Sequence, residues 1–150
     1  MFDPTKLIDA TRLSRIAKAT VQKTGRLGFS RQAATMLKLG DGDMSILLFE
    51  GEGRNLFLVV LPGNDPRGFH LRKIGEYFYV NTRVYFDEKN IDYVAIVVDF
   101  EITETTDRFE GYTVFNMKYR EHPRGSRAPD EDEAVDASVD GAQDDPPPNS

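Results

Sequence analysis

The sequence contains no cysteine and no tryptophan, and only two histidines, His70 and His122. Without cysteine there is no disulfide framework and no thiolate metal site. Two histidines far apart in sequence, with no carboxylates at ligand spacing, give no metal motif either. They read as two solvated side chains. No stretch approaches the roughly 18 apolar residues of a membrane span, and the start, MFDPTKLIDATRL, lacks the apolar run of a signal peptide. No phosphate-loop lysine follows the GEG at 51–53, which reads as a hairpin turn, and no serine nucleophile elbow is present. Asp99 and Glu101 alternate on one strand face and could form an acid pair, but two such residues more often mark a solvated face. The expectation is therefore a protein that is not an enzyme, with no cofactor and no metal, located in a bacterial cytoplasm.

Aromatic residues are also missing from one end. From Arg127 onward the chain has no aromatic residue and only two β-branched aliphatics, Val135 and Val139. Such a composition cannot offset the entropy of ordering. This stretch carries eight acids (Asp130, Glu131, Asp132, Glu133, Asp136, Asp140, Asp144, Asp145) against Arg127. It holds −7 of the chain's −6, leaving +1 for the rest. The sequence divides into an N-terminal arm or short helix (1–18), a folded domain (19–122) and a disordered acidic tail (123–150). The tail is expected to contact the domain's own basic groove, to recruit a partner protein or only to solubilise.

What is present is a repeated plan. Thr20–Glu50 and His70–Glu101 each read as strand, Gly turn, strand, capped helix, strand, and Lys23 and Gly25 recur as Lys73 and Gly75. The units span 19–61 and 69–120, with the loop Pro62–Gly68 between them. Asp3 and Pro4 suit the start of a short helix over 2–16. Ala19 and Val21 alternate with Thr20 and Gln22, as in a half-buried strand. Thr24-Gly25 makes a turn. Ser30 caps a helix that shares Ala33, Met36 and Leu37 on one face and stops at Gly40. Ser45–Phe49 and Leu56–Leu61 are apolar strands. Phe69–Lys73 and Tyr77–Val80 form a second hairpin. Asn81 or Thr82 caps a helix to about Lys89, and Tyr93–Thr103 is a long β-branched strand. Glu104–Gly111 reads as a polar loop and Tyr112–Tyr119 as the last strand. The expected fold is α+β, with duplicated strand-strand-helix-strand-strand units forming antiparallel curved sheets and two helices on one face. The apolar strand Val94–Ile102 offers an edge that a second copy of the chain would pair with.

Basic residues interleave with aromatics on the hairpins and the last strand. Lys23, Arg26 and Arg31 come from the first unit, Arg72, Lys73, Tyr77 and Tyr79 from the second, and Lys118 and Arg120 from the end. Lysine and arginine hold phosphates, and bases stack on aromatic faces. This set is the candidate nucleic-acid-binding surface, with single-stranded DNA or RNA as its expected partner.

Two resemblances both imply nucleic acid, and they conflict on the kind. Gly25–Asp43, GRLGFSRQAATMLKLGDGD, resembles the core of the AbrB/SpoVT swapped-hairpin DNA-binding family, matching at Gly25, Arg26, Leu27, Phe29, Leu37, Leu39, Gly42 and Asp43. Ser30 stands where that family has Pro, and Ala34 where it usually has Arg. The resemblance covers under a fifth of the chain and implies a regulator of double-stranded DNA. The two-unit plan is similar to the Whirly and transcription-coactivator architecture, shared by Pur-alpha-type repeats, and implies single-strand binding in transcription or DNA maintenance. A protein-protein interaction or structural module is the remaining alternative.

Overall fold

The computed structural model describes residues 1–8 and 16–124. About half of the expected N-terminal helix (9–15) and nearly all of the acidic tail (125–150) lie outside the described residues. Pro4–Lys6 form one 3-10 turn, capped by the Asp3 carboxylate accepting from the Thr5 N–H at 2.9 Å.

Among the described residues nine strands and two short helices follow. They are β1 (Lys18–Val21), β2 (Leu27–Phe29), α1 (Arg31–Leu37), β3 (Met44–Glu50), β4 (Leu56–Pro62), β5 (Phe69–His70), β6 (Arg72–Ile74), β7 (Tyr77–Val80), α2 (Arg83–Glu88), β8 (Ile96–Phe109) and β9 (Tyr112–Pro123). All nine belong to one antiparallel sheet in the order β5-β3-β4-β9-β8-β1-β2-β7-β6. The two ends of that order, β5 and β6, are separated in the chain only by Leu71, whose N–H bonds the Met44 carbonyl at 2.9 Å. The sheet therefore curls until its rims meet in one bent segment, making a nearly closed barrel.

This corrects the expected arrangement of sheets carrying two helices on one face. The physical reason is helix length. Helices of seven and six residues are roughly 10 Å long, too short to cover the apolar face of a nine-stranded sheet. The sheet covers that face by closing on itself. Val21, Leu27, Phe29, Ile46, Leu58, Val80, Val98, Phe100, Ile102 and Met117 fill the interior, and the helices add Ala33, Leu37 and Phe86 to the same cluster. Phe86 and Phe100 stack with ring centroids 6.1 Å apart. Burying one such side chain stabilises by about 1.5–3 kcal/mol.

The pairing interleaves the chain's two halves. β1 lies against β8 and β2 against β7; β4 lies against β9 and β3 against β5. Exchanging the halves, with β5 and β6 taken as one bent strand, reproduces the same set of pairings.

Local chemistry explains the boundaries. Ser30 caps α1 by accepting from the Ala33 N–H at 3.1 Å, and its oxygen also takes the Lys18 N–H. The helix ends at Lys38, not Gly40: Lys38 adopts a left-handed conformation (φ 57°) and returns its N–H to the Ala34 and Thr35 carbonyls. Thr82 stands at the start of α2 but donates to the Gly25 carbonyl (2.9 Å) and makes no capping bond. It clips the β1–β2 turn to the second helix. The expected polar loop Glu104–Gly111 is instead strand up to Phe109, closed by a two-residue turn in which Glu110 and Gly111 both have positive φ (52° and 87°). That conformation matches the twist of a hairpin. The polar run Glu104–Arg108 has left the core, so strand structure there needs no apolar alternation. β8 is also flanked by β9 and β1, so the Val94–Ile102 region offers no free edge for a second copy.

Candidate nucleic-acid interface

The outward wall between β9 and β6 is built on one continuous register. Arg120, Asp99, Thr20, Gly28, Tyr79 and Arg72 are successive cross-strand partners on β9, β8, β1, β2, β7 and β6. Strand alternation sends Phe78 and Val80 inward and Tyr77 and Tyr79 outward. The outward rings are not bare platforms. Tyr79 is only 9% exposed, and the Arg26 guanidinium lies 4.7 Å from its ring centroid. Tyr77 is half-buried and lies across Gly28, where a Cβ would come 1.5 Å from the tyrosine oxygen. Gln22 donates its side-chain amide to the same oxygen. A glycine in mid-strand is the sequence sign of such a close approach. Gly28, Thr20 and Gln22 were not among the candidate residues.

The candidates thus fall into three groups. Arg26, Arg72, Tyr77 and Tyr79 meet on the outward patch, with Lys23 exposed on the β1–β2 turn and Arg31 exposed at the start of α1. Lys73 shares the Phe78 side of β6, 5.2 Å from that ring centroid, and pairs with Asp41 at 3.1 Å. Lys118 and Arg120 lie on β9 beyond the acids of β8. Arg120 is held by Asp99 at 2.8 Å and Glu101 at 3.8 Å. Asp99 is 1% exposed and also lies 3.2 Å from the His122 ring nitrogen. A carboxylate this deeply buried requires such partners. Asp99 and Glu101 are therefore anchors for β9 side chains, and His122 is a contact residue. No spacing in the sequence signals this, because the partners come from a neighbouring strand.

Charge pairing divides the described cations. Arg54, Arg67, Lys73, Arg83, Lys89 and Arg120 each lie within 4.0 Å of a carboxylate. Lys23, Arg26, Arg31 and Arg72 have no such pair among the described residues. The same holds for Lys6, Lys38, Arg108, Lys118 and Arg124; Arg26 and Arg72 differ from these in meeting at Tyr79.

A concavity of about 140 Å³ lies between the β3–β4 turn and α2. Its rim is already neutralised. Lys89 pairs with Glu50 at 2.6 Å, and Tyr85 donates to the same carboxylate at 3.0 Å. Those contacts hold Glu50 below the usual carboxylate range, while burial, then the bond to Glu50, pushes Tyr85 up to about 12. Among the described residues no group of three or more histidine or acidic side chains is placed to hold a metal ion, and no helix is long and apolar enough to cross a membrane. No protein-family model, curated protein or solved structure matches this chain.

Proposed function

We propose that this chain binds nucleic acid through its phosphate backbone, on the outward face shared by β1, β2, β7 and β6. One observation carries the reading. The Arg26 guanidinium lies over the Tyr79 ring and Arg72 is the cross-strand partner of Tyr79, neither with a carboxylate partner among the described residues, and Lys23 stands exposed on the adjoining β1–β2 turn. Fixed guanidinium groups on a rigid wall suit phosphate oxygens. Base stacking contributes little, because Arg26 already occupies the Tyr79 ring face and Tyr79 is buried. Duplex DNA is therefore the better fit. The Gly25–Asp43 resemblance to swapped-hairpin DNA-binding proteins and the interleaved pairing of the two halves both support that choice. The single-strand reading rests on Tyr77, whose ring remains half-exposed.

The test is fluorescence anisotropy with a labelled 20-mer, as duplex and as single strand, across a salt series. Neutralising about three phosphates predicts a loss of roughly 40-fold between 50 and 200 mM salt. Tighter binding to the duplex supports the proposal. Tighter binding to the single strand, with loss on Tyr77→Ala, moves it to the alternative. No binding to either form at about 50 mM salt removes both and leaves a protein-protein module.

A further inference from the structure

We propose that the acidic run Asp130–Glu133 of the same chain docks on this cationic wall and competes there with nucleic acid. The competition rests on the function proposed above, whereas the docking rests on the wall's geometry and charge alone.

The route out of the barrel carries the inference. β9 ends with His122 opposite Val97 and Pro123 opposite Ile96. On the far side of β8, Val98 faces Val21, and the next β1 residue, Gln22, bonds the Arg26 carbonyl through its N–H at 2.8 Å. The chain therefore leaves the sheet at the end where Arg26 stands. Its point of departure is fixed, because Arg124 donates to the carbonyls of Tyr93 (2.8 Å) and Ile96 (3.1 Å).

Distances follow from strand spacing. Neighbouring strands lie about 4.8 Å apart, so three spacings put Arg26 about 14 Å from β9, and five put Arg72 about 24 Å away along the wall. Six residues from Arg124 reach at most about 20 Å, and three more reach about 30 Å. Asp130 can thus meet Arg26, and Glu133 can meet Arg72. The intervening segment, Gly125–Pro129, carries only Arg127. Four consecutive carboxylates are then within reach of a wall bearing Arg26, Arg72 and Lys23, none of which has a carboxylate partner among the described residues. Because the run is tethered, its docking is intramolecular and independent of protein concentration. An incoming phosphate backbone must displace it.

The test uses the full chain with Asp130→Asn, Glu131→Gln, Asp132→Asn and Glu133→Gln together. The control neutralises four exposed body carboxylates without ion pairs: Glu76→Gln, Glu88→Gln, Glu104→Gln and Asp107→Asn. Amide resonances of Arg26, Gly28 and Arg72 are compared by NMR without nucleic acid, and duplex affinity is measured at about 50 mM salt. The proposal expects these amides to move in the tail variant and not in the control, with affinity rising about fivefold to tenfold only in the tail variant. Unmoved amides overturn the docking. Moved amides with equal duplex affinity overturn the competition. Moved amides with no duplex binding by either protein retain the docking and overturn the nucleic-acid reading of the wall.

Discussion

Two stretches of the same barrel wall face outward and have opposite chemistry. On β3 and β4, the outward side chains Leu47, Val59 and Leu61 are buried beneath Phe49, Phe109 and Val114. The tip of the β8–β9 hairpin seals them. Phe49 and Phe109 meet edge to face at 5.0 Å, and Arg67 reaches from Asp65 to Glu110 across the rim. On β2, β7 and β6 the outward patch carries Tyr77, Tyr79, Arg26 and Arg72, and neither arginine has a carboxylate partner among the described residues. One outer surface is thus sealed by apolar packing and the other is left open. Secondary structure does not explain the difference. It lies in whether the adjoining hairpin is long enough to fold back: β8 and β9 run 14 and 12 residues, whereas β6 and β7 run 3 and 4.

The largest test places a charge in the sealed stretch. Val59 is fully buried, so Val59→Asp should cost at least about 3 kcal/mol and unfold the barrel in a urea titration. Arg72→Asp on the open stretch should stay within about 0.5 kcal/mol of the parent in the same titration. Equal effects would erase the distinction. Gly28→Ala comes next. Its Cβ would land 1.5 Å from the Tyr77 oxygen, so the ring must lift and release Gln22. The cost should be about 1–3 kcal/mol, and Tyr77→Ala in the same chain should recover most of it. The double variant Arg26→Ala, Arg72→Ala should lower duplex affinity at least about tenfold, equivalent to about 1.4 kcal/mol, while circular dichroism stays unchanged.

The smallest effect concerns the rim of the sealed stretch. Hydrogen bonds from the Arg67 side chain, then from its backbone N–H, hold Asp65 at about 2, against 3.8 ordinarily. A carboxylate depressed in the folded state contributes stability above its unfolded value and loses it as pH falls through the folded one. The contribution should be complete above about pH 5 and fade between about pH 4 and 2. Asp65 is exposed to solvent screening, so Asp65→Asn should lower the melting temperature only slightly at pH 6 and not at all near pH 2. A difference between the two proteins that persisted at pH 2 would show that the carboxylate's charge is not the cause.

Much of the element order was legible, because local chemistry sets it. The Gly25 turn, the Ser30 cap and the alternation of Ala19 and Val21 each act within a few residues. Closure was not legible. Nothing in Phe69–Ile74 announces that six residues serve both rims of a sheet, since the partners, Ser45 and Ile46 on one side and Tyr77–Tyr79 on the other, are set by tertiary fit. The site was half legible. Arg26 and Arg72 were named as candidates from type and spacing, and the structure brings both to Tyr79. Burial of Tyr79 under Arg26 depends on two strands from different halves meeting, which periodicity cannot report. Asp99 was read as a solvated strand acid for the same reason, because its cations come from β9.

The bent segment at Leu71 has a consequence for how this protein could fail. Both rims of the sheet depend on it, so one lesion exposes two unpaired strands at once, β3 and β7. A proline at 71 would delete the N–H that bonds Met44 and would turn a closed wall into an open ribbon. Such ribbons pair with their own kind. The barrel's closure thus hangs on a single hinge-like clasp, and the first sign of its loss should be fibrils, not a dispersed unfolded chain.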